Sequence, residues 1–185
     1  MRPDRFTTLA QQALADAQSD AMSRQNPEVN GLHLLAAMLK EKGGSAWSLI
    51  DKVAGNASRV AQLVETELGR LPTTTSGAGN AGRALMDILG RAEQETKKLG
   101  DSYVSTEHLL LAIADASGPA KDLLSTVGGA DRKRLEQAIK QVREASGVQN
   151  VTDQNAESQY EALKKYSIDL TEKAQQGKLD PVIGR

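Results

Sequence analysis

The sequence contains no cysteine. Disulfide scaffolds, thiol catalysis and Cys-ligated zinc or iron–sulfur centres are therefore excluded. Aromatic residues make up only 3 %, with one Trp and one Phe, so a core must come from Leu, Ala, Val and Ile. That composition favours closely packed helices. No charge of one sign predominates: 23 Lys and Arg face 24 Asp and Glu, a formal net charge of -1. The chain as a whole has no pull toward nucleic acid. No apolar run approaches the roughly eighteen residues of a membrane span, and the charged opening Met1-Arg2-Pro3-Asp4-Arg5-Phe6 lacks the apolar stretch of a signal peptide. These absences imply a soluble, cytoplasmic protein that contacts neither membrane nor nucleic acid.

What is present is helical periodicity. Phe6, Leu9, Ala10, Ala13, Leu14, Ala17 and Ala21 step by three and four along one helix face. Pro27 stops that helix. Asn30 can cap a second, with Leu32, Leu35, Ala36 and Leu39 inward; Ser45 a third; Asn56 a fourth. Residues 71–82, LPTTTSGAGNAG, have neither periodicity nor bulk and read as a mobile connector. The pattern then resumes with Leu85, Ile88, Leu89 and Ala92. Ser105, Pro119 and Asp131 open the next three helices.

The two halves are related. A shift of 75 residues superposes Leu14 on Leu89, Ala17 on Ala92, Val29 on Val104, His33-Leu34-Leu35 on His108-Leu109-Leu110, and Ala37 on Ala112. A duplicated four-helix unit follows, forming one all-α domain with pseudo-two-fold symmetry over residues 1–146. Repeat 1 is about 1–70 and repeat 2 about 83–146. Residues 147–158 read as a flexible linker. Tyr160 to Gln176 recover a thin apolar stripe and predict one further helix. The ending Asp180-Pro181-Val182-Ile183-Gly184-Arg185 reads as the start of a downstream domain that has been cut away.

Several motifs have plain structural explanations. Gly77 to Gly82 match G-x-G-x-x-G, but Pro72-Thr73-Thr74-Thr75-Ser76 in front form no strand, so a connector is favoured over a dinucleotide site. His33 and His108 hold equivalent repeat positions; their surroundings fit no metal-ligand spacing, and helix packing is the better reading. The basic runs Arg132-Lys133-Arg134 and Lys164-Lys165 lie among acidic neighbours and read as solvated faces. No nucleophile–base arrangement stands out.

Three segments resemble one family, the ClpB-type protein disaggregases. They are the opening MRPDRFTTLAQQALADAQ, the motif VSTEHLLLAIAD with its repeat partner VNGLHLLAAMLK, and the tail YEALKKYSIDLTEKAQQGKLDPVIGR. The repeat is also similar to that of ClpA- and ClpC-type unfoldases. The resemblance implies that residues 159–185 begin a truncated AAA+ module, in which Val182 and Ile183 lie at the edge of a nucleotide site. No G-x-x-x-x-G-K-[ST] occurs, so neither cofactor nor ATPase activity is expected of these 185 residues, while ATP and magnesium are expected of the parent protein. It implies further a substrate-recognition domain that captures unfolded or aggregated polypeptide, within a homohexamer that works with a DnaK-type chaperone system. The alternatives are an adaptor-docking domain and a regulatory module packed on the ring.

The resemblance also implies polypeptide binding by Thr7, Asp101 and Glu107. Each has an ordinary structural duty open to it as well. Glu107 meets the positive end of a helix, worth about 0.3–1 kcal/mol; Asp101 can satisfy turn amides; Thr7 can cap the first helix. Under the 75-residue shift, Asp101 falls on Asn26 and Glu107 on Leu32. Both carboxylates therefore belong to the second half alone, which points to a one-sided groove with an acidic rim.

Overall fold

A computed structural model describes residues 3–147 and 150–155. The helix expected over Tyr160 to Gln176, together with Val182 and Ile183, lies outside them. After a single 3-10 turn at Pro3–Arg5, the order is α1 (Thr8–Ser23), β1 (Glu28–Val29), α2 (Gly31–Leu39), α3 (Ser45–Ala54), α4 (Ala57–Leu68), β2 (Asn80–Ala81), α5 (Arg83–Leu99), α6 (Thr106–Asp115), α7 (Pro119–Gly128) and α8 (Arg132–Ser146). The fold is all-α, as the periodicity implies.

Helix starts follow side-chain chemistry. Thr7 caps α1 by accepting the Ala10 N–H at 3.1 Å, Asn56 caps α4 through Arg59, and Asp131 caps α8 through Arg134. At α3 the cap is Gly44, and Ser45 is already the first helical residue. The two helices α2 and α6 depart from the one-sided pattern. Eight of the nine α2 residues are buried, Ala36 being the exception, and α6 is buried throughout Thr106 to Ala114. Each packs against α3 and α7 as well as a partner from its own repeat, α1 for α2 and α5 for α6. A helix apolar on every side belongs at the centre of a bundle.

The pseudo-two-fold is visible in an exchange between halves. Phe6 forms a parallel bridge with Val104, while β2 pairs in parallel with β1, Val29 opposite Ala81. Adding 75 to Phe6 gives Ala81, and adding it to Val29 gives Val104. Each repeat thus lends its opening segment to the segment that precedes the central helix of the other. At the far end α7 meets α3 so closely that a Cβ on Gly128 would lie 2.3 Å from the Ala54 Cβ.

Two stretches expected to be free are held down. In the connector, Thr74 N–H donates to Gln25, Gly79 N–H to Asn26 and Asn80 N–H to Pro27, and the Asn26 side chain donates to the Pro72 carbonyl. Residues 150–155, expected within a flexible linker, lie across the domain instead. The reason is the same in both: extended backbone satisfies the amides and carbonyls left by the turns before α2 and α6.

Candidate functional site

The start of α6 is built around a histidine. Ser105 N–H donates to His108 Nδ1 at 2.8 Å, and the Ser105 Oγ lies 2.9 Å from the same nitrogen. With Nδ1 accepting, the ring proton of a neutral imidazole is on Nε2, which faces Asp101 Oδ2 at 2.6 Å. Repeat 1 has the same construction. Asn30 N–H donates to His33 Nδ1 at 3.0 Å, and His33 Nε2 meets Asn26 Oδ1 at 2.8 Å. Both histidines are packing residues with both ring nitrogens engaged. Burial pushes the His33 pKa down, so that ring is held neutral.

Around this shared frame the repeats diverge. Arg143, from the last turn of α8, donates to both Asp101 oxygens, at 3.0 and 2.9 Å, and its Nε lies 3.4 Å from Glu107 Oε2. Arg143, Asp101 and Glu107 are 5 %, 9 % and 2 % exposed. In repeat 1 the same three positions are Leu68, Asn26 and Leu32, also buried. A buried cluster of one cation and two carboxylates thus replaces two leucines and an amide. Burial alone raises the Asp101 pKa. Hydrogen bonds from His108, Arg143 and the Val151 N–H outweigh it and hold the carboxyl at about 2.

Neither carboxylate rims an open groove. Asp101 and Glu107 are buried, and so is Thr7, whose N–H donates to the Val104 carbonyl at 2.9 Å. The three instead sit beside two edges of backbone. On one edge, Val104 N–H donates to Arg5 at 2.8 Å. On the other runs the strap 150–155: Val151 N–H donates to Asp101 Oδ1 at 2.9 Å, Ser102 N–H to the Val151 carbonyl and Thr8 N–H to the Gln154 carbonyl. Asn150 Nδ2 donates to the carbonyls of Leu99 and Gly100, Gln154 Nε2 to that of Asp4, and Thr8 Oγ1 to Asn155 Oδ1. Sequence reasoning missed Arg143. Its signal was available: the 75-residue shift places an arginine on Leu68, at a position where the helical pattern requires an apolar side chain.

A cleft of about 360 Å³ opens elsewhere, between α4 and α7. Leu63, Leu123, Val127 and Pro119 line it together with Glu67 and Asp122. Among the described residues no group of three or more His, Cys, Asp or Glu could hold a metal ion, and no helix is long and apolar enough to cross a membrane.

A pair of four-helix repeats exchanging their opening segments around two buried central helices defines a duplicated helical domain. The chain belongs to the Clp repeat N-terminal domain family, whose model matches residues 5–127. It is 43 % identical over its whole length to the chaperone protein ClpB of Rhodopirellula baltica and 39 % identical to that of Pseudomonas putida. It spans about a fifth of the length of those relatives. In fold it is similar to the Hsp104 N-terminal domain from Candida albicans, with a TM-score of 0.68 and 21 % identity over 82 % of this chain and 98 % of the other. It is similar also to the N-domain of ClpV from Vibrio cholerae, with a TM-score of 0.62 and 23 % identity over 74 % and 84 %.

Proposed function

We propose that this domain captures exposed segments of unfolded or aggregated polypeptide, and that Thr7, Asp101 and Glu107 organise the capturing face. The observation that carries this reading is the one-sided charge cluster. Repeat 1 builds the same helices with Asn26, Leu32 and Leu68, so the fold does not require Asp101, Glu107 and Arg143. Buried ion clusters are at best weakly stabilising relative to well-packed apolar residues. A cluster kept in one half only serves something done by that half only. Because the carboxylates are buried, they act by holding and orienting backbone groups rather than as exposed charges that attract a basic segment.

Binding through a small face should be weak, with a Kd of about 10⁻⁴–10⁻⁵ M. Multiple tethered copies raise the effective affinity. In the longer protein that the ClpB relatives suggest, a cytoplasmic homohexamer burning ATP with magnesium would thread what the domain captures and would cooperate with a DnaK-type system. These 185 residues would supply recognition and no catalysis.

The test is an anisotropy titration of a labelled, permanently unfolded polypeptide with the 185-residue chain and with Asp101→Asn/Glu107→Leu/Arg143→Leu. That variant transplants the repeat 1 residues, which this architecture already accommodates. Weak saturable binding lost in a variant with unchanged circular dichroism supports capture at this face. Equal binding by both chains removes the charge cluster from the site, and no binding by either at millimolar chain removes capture.

A second reading, docking of a folded adaptor, is favoured by the cleft between α4 and α7. Its apolar floor and the carboxylates of Glu67 and Asp122 fit a partner segment that carries an aliphatic residue beside a basic one. Leu123→Lys should abolish such docking and leave binding of unfolded chain unchanged.

A further inference from the structure

We propose that Thr8, Asp101 and Ser102 form a main-chain binding site for extended polypeptide bearing an aliphatic side chain, and that residues 150–155 occupy this site in cis as a stand-in for client. The inference rests on the capture reading and names the ligand class and regulation of that face.

The contacts have the form expected of such a site. At Val151 both backbone groups are engaged, the N–H by Asp101 Oδ1 and the carbonyl by Ser102 N–H, each at 2.9 Å. Three residues on, Thr8 N–H engages the Gln154 carbonyl at 2.9 Å. All three bonds go to the backbone of the strap, so any extended chain could make them, as in recognition by strand addition. One side chain is taken in: Val151 is 4 % exposed, whereas Thr152, Asp153 and Asn155 are exposed. Val151 also stands apart from the contiguous apolar cluster of the domain, so its burial is a local pocket rather than an extension of the core.

The repeat comparison shows where this strap differs from the connector that holds the equivalent turn in repeat 1. In repeat 1 the side chain at the Asp101 position is Asn26, which donates its amide to the Pro72 carbonyl and holds a connector that runs directly into β2 and α5. Asp101 reverses that role. An ionised carboxylate only accepts, and here it accepts a backbone N–H from a segment that arrives after the last helix of the domain. The Asp101 carboxylate is itself oriented from behind by Arg143 and His108, so the acceptor is in place whether the N–H comes from Val151 or from another chain. Occupancy in cis lowers the apparent affinity for client by the fraction of time the site is filled.

The experiment uses the full 185-residue chain with Val151→Asp, which places a second carboxylate against Asp101 and expels the strap, and with Thr152→Asp, which adds the same charge at an exposed neighbour. Amide exchange at Ser102 and Thr8 reports release. Two probes are used: a labelled, permanently unfolded polypeptide, and the blocked peptide Asn-Val-Thr-Asp-Gln-Asn. Val151→Asp should bind the unfolded chain about tenfold more tightly than the parent, as when a site filled about nine-tenths of the time is opened. Thr152→Asp should match the parent, and the peptide should displace the unfolded chain from Val151→Asp. A released strap with client affinity equal to or below that of the parent overturns this inference and leaves capture standing. A peptide that seats on Val151→Asp while no variant binds unfolded chain overturns capture and, with it, the role of the strap as a client stand-in.

Discussion

Arg143 grips Asp101 with both Nη atoms, at 3.0 and 2.9 Å, from 42 residues away in the sequence. A bidentate guanidinium–carboxylate pair of this kind is strong in itself, yet its partners have been taken out of water. Its energetic signature therefore depends on how it is broken.

Arg143→Leu alone should destabilise the domain by about 3–5 kcal/mol, because Asp101 and Glu107 are left as buried charges without their cation. Adding Asp101→Asn and Glu107→Leu should recover most of that loss. Urea melts of the single and triple variants check this: a triple variant no more stable than Arg143→Leu would mean that the repeat 1 solution cannot be transplanted.

Acid should reveal Asp101. Its carboxyl titrates at about 2 in the folded chain, below its ordinary value, so folding favours the ionised form. The stability it contributes is complete above about pH 4 and is lost as pH falls through 2, amounting to about 2 kcal/mol. Asp101→Asn should flatten the stability curve over that interval, measured by denaturant unfolding from pH 5 to 1.5.

His33 should show itself at milder pH. Its pKa is lowered by burial, so the folded state favours the neutral ring. Stability linked to it is complete above about pH 6.5, the ordinary value, and declines as pH falls below it. His33→Gln should remove this component of the pH dependence. The start of α2 should stay capped, since a Gln at this third helical position can itself accept the Asn30 N–H.

Gly128→Ala should cost about 1–3 kcal/mol by overpacking, since the added carbon would fall 2.3 Å from the Ala54 Cβ and 2.8 Å from its Cα. Ala54→Gly should return part of that in the double variant. A double-mutant cycle with no coupling would argue against the close approach of α3 and α7.

The fold was legible because two signals agreed. The spacing of apolar residues marked the helices, and the 75-residue shift marked their duplication. The caps at Asn30, Asn56 and Asp131 follow from local chemistry and were readable for that reason. Periodicity draws the inner face of α2 too narrowly: His33, Leu34 and Ala37 are buried because neighbours surround the helix, and periodicity within one helix carries no information about neighbours. Residue pattern makes the connector and the strap look free because nearly every anchor has a backbone group on at least one side, as at Asn26 to Pro72 and Val151 to Asp101, and backbone partners leave no trace in residue identity. Asp101 and Glu107 stood out as a departure from the repeat, whereas Arg143 passed unnoticed on a polar-looking helix. Its partnership exists only once α8 packs against α6.

The exchange of opening segments has a bearing on how the chain is made. Phe6 pairs with Val104, so the opening segment of the domain must wait for nearly all of the domain to be synthesised before it finds its place. Repeat 1 emerging alone lacks both Val104 for Phe6 and Ala81 for Val29. The duplicated halves are thus one folding unit. Two separately expressed halves should remain incomplete until mixed, and assembly should then restore both bridges together.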